Sequence, residues 1–183
     1  APLYFRDDFL IPEDDENKLA QWESLLGDWR IHTVLEDAIQ QRTSSKLRSR
    51  PLEAGRSPNF YSVQGSGQPG LLVAGHPFHD AYRHQASIQL ESGVAGLAFY
   101  VQDEESYYTF AISRSSDPAQ PARAVLRRHR PAGEVVLGAV EMDLLSGQWV
   151  QPQVRIGDNR IRCYIDAIQV LDVDEQLPSG GQF

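Results

Sequence analysis

From Phe60 to Val173 the chain alternates apolar and polar residues with a period of two, in short runs broken by turn residues. That period puts alternate side chains on opposite faces of an extended strand. The clearest stretch is Ser146 to Val173. Val150, Val154 and Ile156 share one parity, Ile161, Cys163 and Ile165 share another, and Gly157-Asp158-Asn159 separates the two sets. Gly and Asn reach positive φ cheaply, so this is a hairpin signal. A second tight turn at Asp166-Ala167 launches Ile168 to Val173. Three consecutive antiparallel strands introduced by Trp149 need a second sheet over their apolar face, which predicts an all-β sandwich.

The same pattern predicts the other strands. Tyr82–Glu91 carries Ala86, Ile88 and Leu90 on one face and Arg83, Gln85, Ser87 and Gln89 on the other. Leu97–Gln102 points Leu97, Phe99 and Val101 inward, with Tyr100 and Gln102 outward. After the turn Asp103–Ser106, Tyr107–Ser113 returns with Tyr108, Phe110 and Ile112 inward, leaving Tyr107 and Thr109 outward. Ala122–Arg130 and Glu134–Met142 form a hairpin around Pro131-Ala132-Gly133. Earlier, Phe60–Val63 and Gly70–Ala74 read as two short strands separated by Gly65-Ser66-Gly67, and Leu3–Leu10 and Trp29–Leu35 as two more. Leu19, Trp22, Leu25 and Leu26 share a helical face, which predicts a short helix over 19–26 ended by Gly27-Asp28. Residues 36–57 form a polar excursion with room for one helical turn. Many short strands at close spacing give the sandwich or jelly-roll pattern.

Composition narrows the function classes. A length of 183 residues fits one large β-sandwich or two small domains, and no compositional shift marks a linker, so a single domain over 1–183 is expected. The formal net charge of −8 disfavours nucleic acid, whose phosphates want a basic field. Nearly all basic residues are Arg, Lys18 and Lys46 being the only lysines. Cys163 is the only cysteine, which excludes an intramolecular disulfide and a Cys-based zinc site, and its parity makes it a small core hydrophobe. No apolar run is long enough to span a bilayer. A start at Ala1-Pro2 is compatible with a processed terminus, so localisation stays open, extracytoplasmic compartments included.

Several short motifs resemble the laminin-G-like, concanavalin-A-like jelly-roll superfamily. They are Asp7-Asp8-Phe9, Trp22, Gly27-Asp28-Trp29, Asp80-Ala81-Tyr82, Gly96–Val101, Ser106–Phe110, Gly147-Gln148-Trp149 and Cys163–Asp166. The nearest resemblance is to bacterial domains that include the DUF1080 (3-keto-disaccharide hydrolase) group. The resemblance implies a two-sheet antiparallel jelly roll and a carbohydrate-related role. It departs at Ala167, where the superfamily usually has Gly. Such folds also usually continue past the Gly180-Gly181 position into strands that pair beside the first. The strand at Leu3–Phe9 is therefore expected to pair with a segment beyond Phe183 or with another chain.

Four groups of residues carry candidate chemistry. His76, His79 and His84 are the nearest thing to a metal motif, against ordinary loop and strand-end histidines. Asp103-Glu104-Glu105 offers clustered carboxylates, against a solvated hairpin tip; no alternating Glu-x-Asp-x-Glu strand of the laminarinase kind is present. Asp7, Asp8, Asp172 and Asp174 are candidate calcium oxygens, against solvent-facing acids at strand ends. Arg123, Arg127, Arg128 and Arg130 suit an anion or sulfated sugar, against an outward Arg face that keeps the sheet soluble. No cofactor is expected.

The leading ligand surface is a tyrosine platform of Tyr100, Gln102, Tyr107 and Thr109, with Gln85 and Arg83 on a neighbouring strand. A sugar stacks its apolar face on an aromatic ring and hydrogen-bonds at its rim. The alternative is that a loop covers these tyrosines. The expected function is a non-catalytic carbohydrate-binding module of a larger protein. A glycoside-active domain of the 3-keto-disaccharide hydrolase type and a structural or protein-interaction sandwich are the two alternatives.

Overall fold

The structure is a computed structural model that describes residues 5–7, 9, 21–33, 61–76, 81–178 and 182–183. The described residues form β-strands joined by turns, with no helix among them. They fall into two compact units, Ala1–Gly75 and His76–Phe183.

In the first unit, β1 (Trp22–Thr33) pairs antiparallel with β2 (Tyr61–Ala74). The helix expected over 19–26 is not formed: Trp22 to Leu26 belong to β1. Gly27 supplies the reason. It adopts φ +76 within the strand, and the register slips on both sides of Leu26. A bulge of this kind shifts strand parity, so Leu25 and Leu26 imitate helical spacing in an extended chain. The two short strands expected on either side of Gly65-Ser66-Gly67 are one continuous β2. Gly65 lies opposite Trp29, where an added Cβ would stand 2.8 Å from the indole ring. The glycine here admits a Trp ring onto the backbone instead of turning the chain. Of the strand expected at Leu3–Leu10, Phe5–Asp7 and Phe9 are described and are not strand. They pack around Trp22 instead: its Nε1 donates to Asp7 Oδ2 at 2.7 Å, and the Phe5 and Phe9 rings lie 5.2 and 5.8 Å away.

The second unit is a sandwich. One sheet has the order β5 (Gly93–Phe99), β6 (Tyr107–Arg114), β7 (Ala122–Arg130), β8 (Gly133–Met142). The other runs β12 (Ile168–Asp174), β11 (Arg160–Ile165), β10 (Pro152–Gly157), β3 (Tyr82–Gln85). A small pair, β4 (Ile88–Gln89) and β9 (Trp149–Val150), completes it. The predicted hairpins are present. Asp158 and Asn159 both have positive φ between the paired residues Gly157 and Arg160, and Asp166 and Ala167 do the same between Ile165 and Ile168. Two consecutive left-handed residues match the right-handed twist of the flanking strands. Pro131-Ala132 joins β7 to β8.

Strand parity builds the core between the sheets. Leu97, Phe99, Tyr108, Phe110, Ile112 and Leu126 from one sheet are buried, as are Val154, Ile156, Ile161, Cys163 and Ile165 from the other. Each such side chain contributes about 1.5–3 kcal/mol relative to exposure. The sheets meet closely at Gly138, where an added Cβ would approach Leu171 to 3.1 Å. Burial pushes the Cys163 thiol up to about 12, as expected of a core cysteine. Trp149, which opens the hairpin region, is only half-buried. The tail returns to the sandwich: Gln182 pairs with Val101, and Phe183 packs on Tyr82 and His84.

Candidate functional site

The outward face of β6–β8 carries a column of side chains in register: Tyr107 opposite His129, and His129 opposite Glu134. The Tyr107 and His129 rings stack at 4.3 Å with 14° between their planes. His129 Nε2 lies 3.0 Å from Thr109 Oγ1, and its Nδ1 lies 3.8 Å from Glu134 Oε2. A carboxylate only accepts hydrogen bonds, so the Nδ1–H tautomer facing Glu134 fits best, with Nε2 accepting from the Thr109 hydroxyl. Burial lowers the His129 pKa, with Glu134 opposing and Arg127 adding to the shift, so the ring is neutral at neutral pH. Burial, then the Glu134 charge, raises that of Tyr107.

This column forms one wall of a cleft at the end of the sheet. The tip of the β7–β8 turn and the Asp103–Ser106 turn supply the rest: Glu104, Glu105, Arg130, Pro131 and Gly133. The cleft holds about 240 Å³. That is below the ~300–1,000 Å³ typical of small-molecule pockets and suits a single ring-sized group. The Asp103 turn is fixed by its own backbone. Asp103 Oδ1 accepts from the Glu105 amide at 2.8 Å, and Gln102 N donates to Ser106 O at 2.9 Å. The first of these bonds is the main cause of the lowered Asp103 pKa.

Not every expected platform residue is here. Tyr107 and Thr109 meet at His129, and Gln102 is exposed beside the turn. Tyr100 is not outward: it is 2 % exposed, with its ring 5.7 Å from Tyr82 and 6.4 Å from Tyr108. The cause is its backbone. At φ +49 Tyr100 leaves the β5 alternation, so two neighbours in sequence, Phe99 and Tyr100, both point inward. Its amide donates to the Tyr82 hydroxyl at 3.0 Å. Arg83 and Gln85 are exposed as expected, but on β3 of the other sheet, opposite Arg155 and Gln153 and not beside β5 or β6.

The remaining candidates are engaged otherwise. The Arg face of β7 divides between the two sides of the sheet. Arg128 bonds Glu175 at 2.6 Å, and Arg130 lies over the Tyr108 ring at 5.3 Å. Arg127 Nε is 3.6 Å from Glu134. Asp7 is taken by Trp22 and the Phe9 amide, and Asp172 by Arg160 and Gln169. Asp8 and His79 lie outside the described residues. Among the described residues no group of three or more His, Cys, Asp or Glu is placed to hold a metal ion. His76 is exposed, whereas His84 Nδ1 is buried in the core without a hydrogen-bond partner among the described residues. His129 and Glu134 are the residues that sequence reading passed over. Strand pairing sets both in line with Tyr107, a relation between residues far apart in the chain.

The second unit is thus an antiparallel β-sandwich of two four-stranded sheets. Among solved structures, the carbohydrate-binding module CBM66 from Bacillus subtilis superposes with a TM-score of 0.64 at 12% identity, covering 88% of this chain and 84% of that one. Sheep galectin-11 gives a TM-score of 0.43 at 11% identity over 60% and 84% of the two chains. A family 16 glycoside hydrolase endo-glucanase from Bacteroides ovatus gives 0.45 at 12% over 98% and 83%. No protein-family model matches the chain, and no curated protein matches it in sequence. No helix among the described residues is long and apolar enough to cross a membrane.

Proposed function

We propose that this protein is a carbohydrate-recognition module that seats one sugar ring in the cleft beside Tyr107. One observation carries the reading: a ring-sized cleft combines a stacked aromatic wall, Tyr107 on His129, with the carboxylates of Glu104, Glu105 and Glu134. Sugars present an apolar face of C–H groups and a rim of hydroxyl donors, which such a wall and rim complement. Support comes also from the CBM66 fold, whose solved example is a carbohydrate-binding module. A single ring held at an open cleft gives weak affinity, roughly millimolar to micromolar.

The test is a glycan-array screen followed by calorimetry of the hits. Tyr107→Ala is expected to weaken binding at least tenfold while the fold survives, because Tyr107 lies outside the core. Unchanged affinity in this variant would remove the cleft from the reading. Turnover of a bound glycan in the same samples would favour a glycoside-active role of the 3-keto-disaccharide hydrolase type.

A further inference from the structure

The charges around the cleft are unequally engaged. Arg130 reaches it from the β7–β8 turn, yet its guanidinium lies over the Tyr108 ring at 5.3 Å and donates to the His129 carbonyl at 3.1 Å. Arg127 stands 3.6 Å from Glu134. His129 is held neutral by burial. The cleft's bases are thus committed to internal partners or uncharged. The acids differ: among the described residues no hydrogen bond or ion pair engages the carboxylates of Glu104 and Glu105, which line the same cleft. The turn that carries them is held in place by the Asp103 carboxylate bonded to the Glu105 amide. A ligand beside the Tyr107–His129 stack therefore meets two rim carboxylates carried on a hydrogen-bonded turn and not neutralised.

We infer that the cleft selects sugars bearing an ammonium group, accepts neutral sugars more weakly, and rejects uronates and sulfated sugars. The inference rests on the carbohydrate reading above and names its ligand class. The aromatic stack serves any ring, so it supplies the common part of the affinity. Glu104 and Glu105 supply the difference, because an ammonium group gains their charge and a carboxylate or sulfate is repelled by it. The formal charge of −8 acts in the same direction at long range. Two exposed ion pairs of ordinary strength amount to about a twofold to tenfold preference.

The test uses monosaccharides in gluco, galacto and manno configuration, each as the hexosamine, the N-acetylhexosamine and the uronate. Binding is followed by NMR titration of the whole protein at about pH 6.5, where the amine is charged. The hexosamine is expected to bind about twofold to tenfold more tightly than its N-acetyl partner, and the uronate not to register. Raising the salt to about 0.5 M shrinks the preference, since exposed charges are screened. In Glu104→Gln/Glu105→Gln the preference for the hexosamine over its N-acetyl partner disappears, whatever happens to the affinity the two share. Equal affinity for charged and neutral partners, or a preference that survives the double variant, overturns the ligand class and leaves the carbohydrate reading standing. Absence of binding by every sugar overturns both.

Discussion

Replacing Tyr100 by Ala tests the feature that separates the structure from simple strand alternation. The ring is 2 % exposed and packs 5.7 Å from Tyr82 and 6.4 Å from Tyr108. Truncating a buried aromatic costs about 3–5 kcal/mol, and two lost aromatic contacts place this site towards the upper end. Alanine at φ +49 carries the same left-handed strain as tyrosine, so the backbone contribution cancels. Tyr107→Ala is the matched control. Its ring is half-buried, and its loss is worth about 1 kcal/mol, roughly half of a full burial. Urea unfolding followed by far-ultraviolet circular dichroism reads both. With a slope near ~2 kcal/mol/M, the midpoint should fall by about 2 M for Tyr100→Ala and about 0.5 M for Tyr107→Ala. Equal losses in the two variants would refute the inward turn of Tyr100 and restore the two-tyrosine platform.

Two further outcomes follow from backbone and burial. Ala167 occupies a left-handed position at φ +68, so Ala167→Gly should stabilise the protein by up to about 1 kcal/mol, raising the Tm by about 2–4 °C; a lower Tm in calorimetry would contradict this. Burial holds the His84 pKa at about 4, below the ordinary 6.5. Between these values the unfolded chain binds the proton and the folded chain does not, so stability is full above pH 6.5 and falls as the pH drops towards 4, by up to about 3 kcal/mol. Denaturation across that range should show the slope, and His84→Asn should flatten it; an unchanged slope in the variant would assign the effect to other groups.

The sequence was legible where local chemistry decides the backbone. Asp158-Asn159 and Asp166-Ala167 turn because short polar or small residues tolerate positive φ, and the flanking alternation then fixes which residues enter the core. It misled where one residue breaks the alternation. Gly27 bulges β1 and makes Leu25 and Leu26 resemble a helical face, while Tyr100 inverts at a strand end with no glycine to signal it. The cleft was half legible. Tyr107, Thr109, Glu104 and Glu105 were visible as outward residues around a turn. His129 and Glu134 were not, because their relation to Tyr107 comes from the pairing register of β6, β7 and β8, which involves residues far apart in the chain.

The seat proposed for the sugar, between the Asp103–Ser106 turn and the Tyr107–His129–Glu134 column, is open to direct measurement. Backbone amide shifts of the isotopically labelled protein, recorded while a binding glycan is titrated, test it most directly. Changes are expected above all at residues 103–109 and 127–134, with the His129 ring responding alongside. Changes centred instead on Arg83, Gln85 and Arg155 of the opposite sheet would contradict it.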